Sequence, residues 1–252
     1  MDYELHTKRF FENLGYQAEK ITEGNEKSPD FLIFDNESRY VVELKTKFAS
    51  TEEIQNRHLI LSSGKIHEIH ETVNRKNLLS GIITKANKQL EKFNAENVFK
   101  IAFLLATGHL AELRILQYEA TLYGSTCMIS SKGSSDCYFF YNSDFFRYRN
   151  SLDGAIVSTE TEANLLLNPL SPRYNQFKNS SLSQLLGDAV IDPIQLERSG
   201  KAFLVDSDLD RNNKEQVLKY LREKYRIDDL MDLPMTYLSG TLFVPDSDNM
   251  TG

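Results

Sequence analysis

At 252 residues the chain has room for one large domain, or for a compact domain with an elaborate second half, and its 40% hydrophobic and 26% charged residues exclude a disordered or fibrous chain. A net charge of −7 argues against a protein that coats nucleic acid through overall positive charge, although a local basic rim stays compatible with it. Only Cys127 and Cys137 occur, which excludes a disulfide framework or a four-cysteine metal set, and the longest apolar run, Ile101 to Ala106, falls far short of the roughly 20 residues that span a bilayer.

Met1 to Phe10 carry charges throughout and do not resemble a signal peptide, so a reducing cytoplasm is the expected compartment. Tyr3 to Leu14 reads as a helix ended by Gly15, with Thr7, Phe11 and Leu14 at helical spacing. Glu4 lies seven residues before Phe11 on the same stripe. Two readings of it stay open: a carboxylate turned inward, or a first-turn residue favouring the helix dipole. Glu12 lies off the stripe. Tyr16 to Ile21 is a first strand, and Thr22 to Lys27 a polar loop.

Ser28 to Phe34 and Arg39 to Lys47 then read as two short strands joined by a turn at Asp35-Asn36-Glu37-Ser38. With Asp35 facing Ser38, residue 34 faces 39, 32 faces 41 and 30 faces 43. Asp30 and Glu43 would share a sheet face with Cβ atoms roughly 4.5–5.5 Å apart, and Lys45 would share it too. Like charges in that position are destabilising. A hard divalent cation held by both carboxylates gives the simplest reason to keep them. A lysine beside them suits a reaction in which negative charge develops, such as attack of water on a phosphodiester.

Phe48 to Asn77 is charged and loosely patterned. His67-Glu68-Ile69-His70-Glu71 places its histidines three apart, where a zinc-protease motif needs four, and reads as a solvated helix face. Lys65, Arg75 and Lys76 leave a DNA-contacting insertion as the alternative. Leu78 to Phe93 is the clearest helix, with Leu79, Ile82, Ile83, Ala86, Leu90 and Phe93 on one stripe. Gln89 borders that stripe, either as a surface glutamine or as a residue of the catalytic face. Lys85, Lys88 and Lys92 are either solvated or phosphate-facing. Val98 to Thr107, bounded by Gly108, reads as a buried strand.

Beyond it, Leu113 to Tyr123 and Cys137 to Tyr141 read as strands around a Ser/Gly loop at Ser130 to Asp136. Phe139 to Arg149 interleaves aromatics with arginines, as a half-buried edge strand or a base-stacking patch. Ala155 to Val157, Asn164 to Leu167 and Lys201 to Val205 are short strands, and Arg173 to Leu186 is helical. Asp206 to Asp210 fails as a calcium loop and reads as a cap for a helix from Asn213 to Tyr225. Pro245 to Gly252 is a polar tail.

Pro29-Asp30 followed by Glu43-Leu44-Lys45 resembles the signature of the PD-(D/E)XK nuclease superfamily, which includes many restriction endonucleases and Holliday-junction resolvases. Glu4 to Tyr16 resembles the opening helix of Mrr-type restriction enzymes and archaeal resolvases, where a glutamate at the position of Glu4 completes the metal site. Gln89 to Phe93 resembles the Gln-x-x-x-Tyr motif of RecB-like members, with Phe93 in the tyrosine position. The order helix, three strands, helix, strand matches the superfamily core over roughly the first 110 residues.

The expected fold is therefore α/β, a restriction-endonuclease-like core in residues 1–125 with an insertion at 48–77, and an α+β extension in 126–252 whose role the sequence leaves open, with DNA or partner recognition as one option. The expected function is a Mg²⁺-dependent DNA nuclease, with Mn²⁺ able to substitute. Asp30 and Glu43 would hold the metal. The resemblance adds the Leu44 carbonyl as a ligand and Glu4 and Gln89 as further site residues, beside Lys45 at the attacking water. DNA is the implied partner, with a homodimer or partner subunit open and no membrane. A non-catalytic nucleic-acid-binding or interaction module on the same fold is the alternative.

Overall fold

The computed structural model describes residues 2–22, 27–48, 50–233 and 239–245. Helix α1 (Tyr3–Asn13) begins at Asp2, whose side chain accepts the Leu5 N–H at 3.1 Å, and Gly15 takes the positive φ of 90° that stops it. Strands β1 (Gln17–Lys20), β2 (Phe31–Phe34) and β3 (Arg39–Lys47) form an antiparallel meander. The Asp35 side chain accepts the N–H groups of Glu37 (2.8 Å) and Ser38 (2.6 Å), which closes the β2–β3 turn. Phe34 pairs with Arg39 and Leu32 with Val41, the register the turn residues imply.

Helix α2 (Thr51–Ser62) starts at a capping box of Ser50 and Glu53, and none of its residues is buried. Strand β4 (His67–Glu71) leads to helix α3 (Asn77–Lys92) and to β5 (Phe99–Ala106), which runs parallel to β3. After α4 (Ala111–Tyr123) come β6 (Thr126–Ser130), β7 (Gly133–Phe139) and α5 (Asp144–Arg147). Then follow β8 (Gly154–Ser158), β9 (Ala163–Leu167), α6 (Tyr174–Lys178), α7 (Ser181–Leu186) and β10 (Val190–Ile191). The chain ends with α8 (Pro193–Arg198), β11 (Ala202–Val205), α9 (Lys214–Tyr225), β12 (Met231–Leu233) and β13 (Ser239–Phe243).

The main sheet is mixed and seven-stranded, in the order β1-β2-β3-β5-β8-β9-β10. One face packs against α1, α6 and α7 through Phe11, Phe31, Val42, Phe103 and Phe177. The other packs against α3 and α4 through Val41, Leu79, Ile83, Leu90, Leu104 and Tyr118. A second sheet, β11-β7-β6-β12, presents Tyr138 and Leu204 to that core and Cys137, Phe139 and Phe203 to α9. β4 and β13 pair as a separate ribbon. The protein is thus mixed α/β, and among its described residues no helix is long and apolar enough to cross a membrane. Cys127 and Cys137 are free thiols.

Several expectations are corrected. Leu113 to Tyr123 is helix α4, ended by Gly124 at φ 66°. His67 to Glu71 is strand β4, alternately exposed along its length, and not a helix face. Ser130 to Asp136 is the turn and first half of a β6–β7 hairpin. Phe139 ends β7, and Phe140 to Arg149 is a 3-10 turn followed by α5, with Phe140 and Phe145 buried, so the segment is not an edge strand. Arg173 to Leu186 divides into α6 and α7. The division at residue 125 does not separate two bodies, because β8, β9 and β10 extend the sheet begun by β1, β2, β3 and β5. Parts of two expected segments, 23–26 of the polar loop and 246–252 of the tail, lie outside the described residues.

Candidate active site

β2 stops at Phe31, and Asp30 lies one residue beyond the ladder. Its N–H donates to the Val42 carbonyl at 3.1 Å, and its carboxylate, Oδ2, accepts the Leu44 N–H at 2.7 Å. A strand residue directs its N–H and C=O to the same edge. The Leu44 carbonyl therefore also faces the space that β2 vacates, next to Asp30.

Side chains alternate along β3, so Val41, Glu43 and Lys45 share the face covered by α3. Glu43 is fully buried. Its Oε1 is in hydrogen-bond contact with Lys45 Nζ, while its Oε2 is buried with no hydrogen-bond partner. Burial pushes the Glu43 carboxyl up to about 8. The Lys45 ammonium opposes that rise, and the Asp30 carboxylate adds to it, both by its charge and as an acceptor for the protonated form.

Helix α3 supplies the fourth member. Gln89 Oε1 accepts from Lys45 Nζ at 2.9 Å, and Gln89 Nε2 donates to the Ser28 carbonyl at 3.0 Å. Both ends of the amide are engaged, so Gln89 ties Lys45 to the segment that carries Asp30. Ser28 is the partner that pattern reading does not find. Its place directly before Pro29-Asp30 is the only signal, because a main-chain acceptor leaves no mark in side-chain chemistry.

Asp30, Glu43, Lys45, Leu44 and Gln89 thus come together. Glu4 does not join them. It sits in the first turn of α1, about half exposed, and its carboxylate pairs with Lys20 at the end of β1. α1 covers the opposite face of the sheet from Glu43 and Lys45. The inward reading of Glu4 is corrected, because the buried stripe of α1 begins at Thr7. In the insertion, Arg75 is held by Asp144 at 3.0 Å and Lys76 by Glu71 at 3.0 Å.

Among the described residues no three His, Cys, Asp or Glu side chains cluster as a ready metal cage. Mg²⁺ does not need one: it keeps several waters and is commonly held by one or two carboxylates. Asp30, Glu43 with its orphaned Oε2, and the Leu44 carbonyl form a donor set of that kind, all oxygen and hard. No protein-family model, curated protein or solved structure matches the chain.

Proposed function

We propose that this chain is a metal-dependent nuclease of the restriction-endonuclease-like type, hydrolysing phosphodiester bonds in DNA. The observation that carries the reading is a fully buried Glu43 whose Oε2 has no partner, with Lys45 on its other oxygen and the Asp30 carboxylate near enough to act on its charge. A buried carboxylate oxygen without a hydrogen bond is costly; without metal, a proton that Asp30 can accept offsets that cost, and a cation would take the proton's place. The order α1, β1, β2, β3, α3, β5, with α2 and β4 inserted between β3 and α3 and with β3 and β5 parallel, supports the same reading.

Asp30, Glu43 and the Leu44 carbonyl would hold Mg²⁺ or Mn²⁺. Such an ion, when bound, lowers the pKa of a coordinated water and offsets charge on the phosphate. Lys45, held at its Nζ by Glu43 and Gln89, is placed to orient the attacking water and to stabilise negative charge as it grows on the phosphorus oxygens. Gln89 acts through Lys45 and is a positioning residue. Lys85 and Lys88, exposed on the same helix as Gln89, supply positive charge for the strand backbone.

The test is incubation of the purified protein with supercoiled and linear DNA in Mg²⁺, Mn²⁺ or EDTA. Nicking or degradation with either cation and none in EDTA is expected, with Glu43→Gln inactive. Metal-independent cleavage, or full activity of Glu43→Gln, would overturn the proposal. Relaxation of the circle without loss of linear DNA would identify an endonuclease.

A further inference from the structure

A second depression lies away from this site, on the smaller sheet. It opens between the loop leading into α3, strands β6 and β7, and the start of α9, and encloses about 550 Å³. Small-molecule sites occupy roughly 300–1,000 Å³. Leu218 and Leu233, both partly exposed, give it apolar walls above the buried Met128 and Phe139, and three cations, Arg75, Arg211 and Lys214, line it together with the Asp232 carboxylate.

The three cations are not equivalent. Arg75 is paired with Asp144 at 3.0 Å, and Lys214 with Asp232 at 2.5 Å. Arg211 makes no ion pair among the described residues. Its Nη2 donates to the Ser125 carbonyl at 3.1 Å, and its guanidinium carbon lies 5.1 Å from the centre of the Phe139 ring. A guanidinium has five N–H donors, so most of them remain available. Burial, with the charge of Arg75 adding to it, depresses its pKa. Asp232, which lines the same depression and is engaged by Lys214, and the Cys137 thiol oppose that shift from longer range, and among the described residues no carboxylate contacts the guanidinium, whose planar fork matches the oxygens of a phosphate. The apolar walls beside it suit a flat ring, and the amides of Asn74 and Asn142 border the same space. Phosphate and ring together describe one class of ligand.

We propose that this depression binds a nucleoside phosphate, with the phosphate on Arg211 and the base against Leu218 and Leu233. The proposal does not rest on the nuclease reading. Its ligand could be a free nucleotide or one nucleotide of a strand, and the chemistry at Arg211 would be the same.

The experiment is calorimetric titration and thermal unfolding of the full chain in EDTA, which keeps metal-dependent cleavage out of the measurement. The probes are the nucleoside 5′-monophosphates and triphosphates, the nucleosides, inorganic phosphate and a short single-stranded oligonucleotide. Nucleoside phosphates should bind and raise the melting temperature, and nucleosides and inorganic phosphate should bind at least about tenfold more weakly, since each carries half of the recognised groups. Arg211→Met should weaken binding by about tenfold or more, because it removes a charge-assisted hydrogen bond to the phosphate. Lys214→Gln neutralises an exposed side chain at the rim, can keep a hydrogen bond to Asp232, leaves Ser125 untouched, and should weaken binding in the same direction. Tight binding by free nucleotides marks a free ligand; binding by the oligonucleotide alone, with the same dependence on Arg211, marks a strand nucleotide. No binding by any probe at millimolar concentration, inorganic phosphate binding as tightly as the nucleotides, or affinity unchanged in both variants would overturn the proposal.

Discussion

Glu43 sets the pH behaviour of the site. Its carboxyl is raised from an ordinary 4.5 to about 8, first by burial and then by Asp30, against the pull of Lys45. The folded state therefore holds this proton more tightly than the unfolded chain does. The stabilisation is fully present below about pH 4.5 and is lost as pH rises through about 8. In EDTA the melting temperature of the wild type should fall across that window relative to Glu43→Gln, which has no proton to lose. Thermal unfolding in a pH series checks this, and parallel curves for the two proteins would contradict it. A cation at the carboxylates competes with the same proton, so Mn²⁺ affinity should rise with pH over the same range and proton release should accompany binding. Gln89 gives a second residue-scale expectation. Gln89→Ala frees Lys45 from Ser28 without opening the core, so cleavage at saturating DNA should slow by up to about a hundredfold. DNA affinity and melting temperature should stay near wild type. A drop in melting temperature with unchanged turnover would assign Gln89 to packing instead.

At the scale of elements, the β2–β3 hairpin is legible in the sequence because one register satisfies both the Asp35 turn and the apolar alternation of Leu32 with Val41. The relation of Gln89 to Lys45 is legible only as a helix face bordering a strand, since nothing local says which strand α3 covers. α4 reads as a strand for a physical reason. Leu113, Ile115, Gln117, Tyr118, Ala120, Thr121 and Leu122 are all buried, so the helix lacks the polar face that marks a period of 3.6. In β4 the opposite holds: its charged alternation reads as a solvated helix face, and its partner β13 lies far along the chain. Glu4 shares the spacing of Phe11, but the first turn of α1 runs past the buried surface to Lys20. Two predictions belong here. Exchanging Lys85 and Lys88 on α3 for glutamate should weaken DNA binding and reduce its salt slope by about one unit for each phosphate no longer neutralised, with the fold retained. A salt slope unchanged from wild type would place the DNA elsewhere. In β8, a Cβ on Gly154 would come within 2.5 Å of the Phe177 ring and 2.8 Å of the Leu166 carbonyl. Gly154→Ala should therefore cost about 1–3 kcal/mol of stability by overpacking, read in denaturant unfolding. Stability equal to wild type would mean that the sheet yields there.

Over the whole molecule, the second half of the chain completes the first. β8 pairs with β5, and Leu152, Ala155, Val157 and Leu166 fill the core that α3 and α4 begin. A fragment ending at residue 125 would leave β5 as an open apolar edge, and it should aggregate or unfold without a cooperative transition. A soluble fragment with a sharp melting curve would contradict that. The sheet matters to the proposed chemistry because it fixes Glu43 and Lys45 at one level under α3, while β2 ends early enough to leave Asp30 and the Leu44 carbonyl side by side at the open edge of β3. The most direct test of that arrangement is cleavage of supercoiled DNA in Mn²⁺ by the wild type and by Lys45→Ala, with Mn²⁺ binding measured on both. Wild-type protein should cleave, and Lys45→Ala should still bind Mn²⁺ while losing cleavage by about a hundredfold or more. Equal cleavage by the two proteins, or a wild type that binds no Mn²⁺, would contradict the assignment of Asp30, Glu43 and Lys45 as a metal-dependent active site.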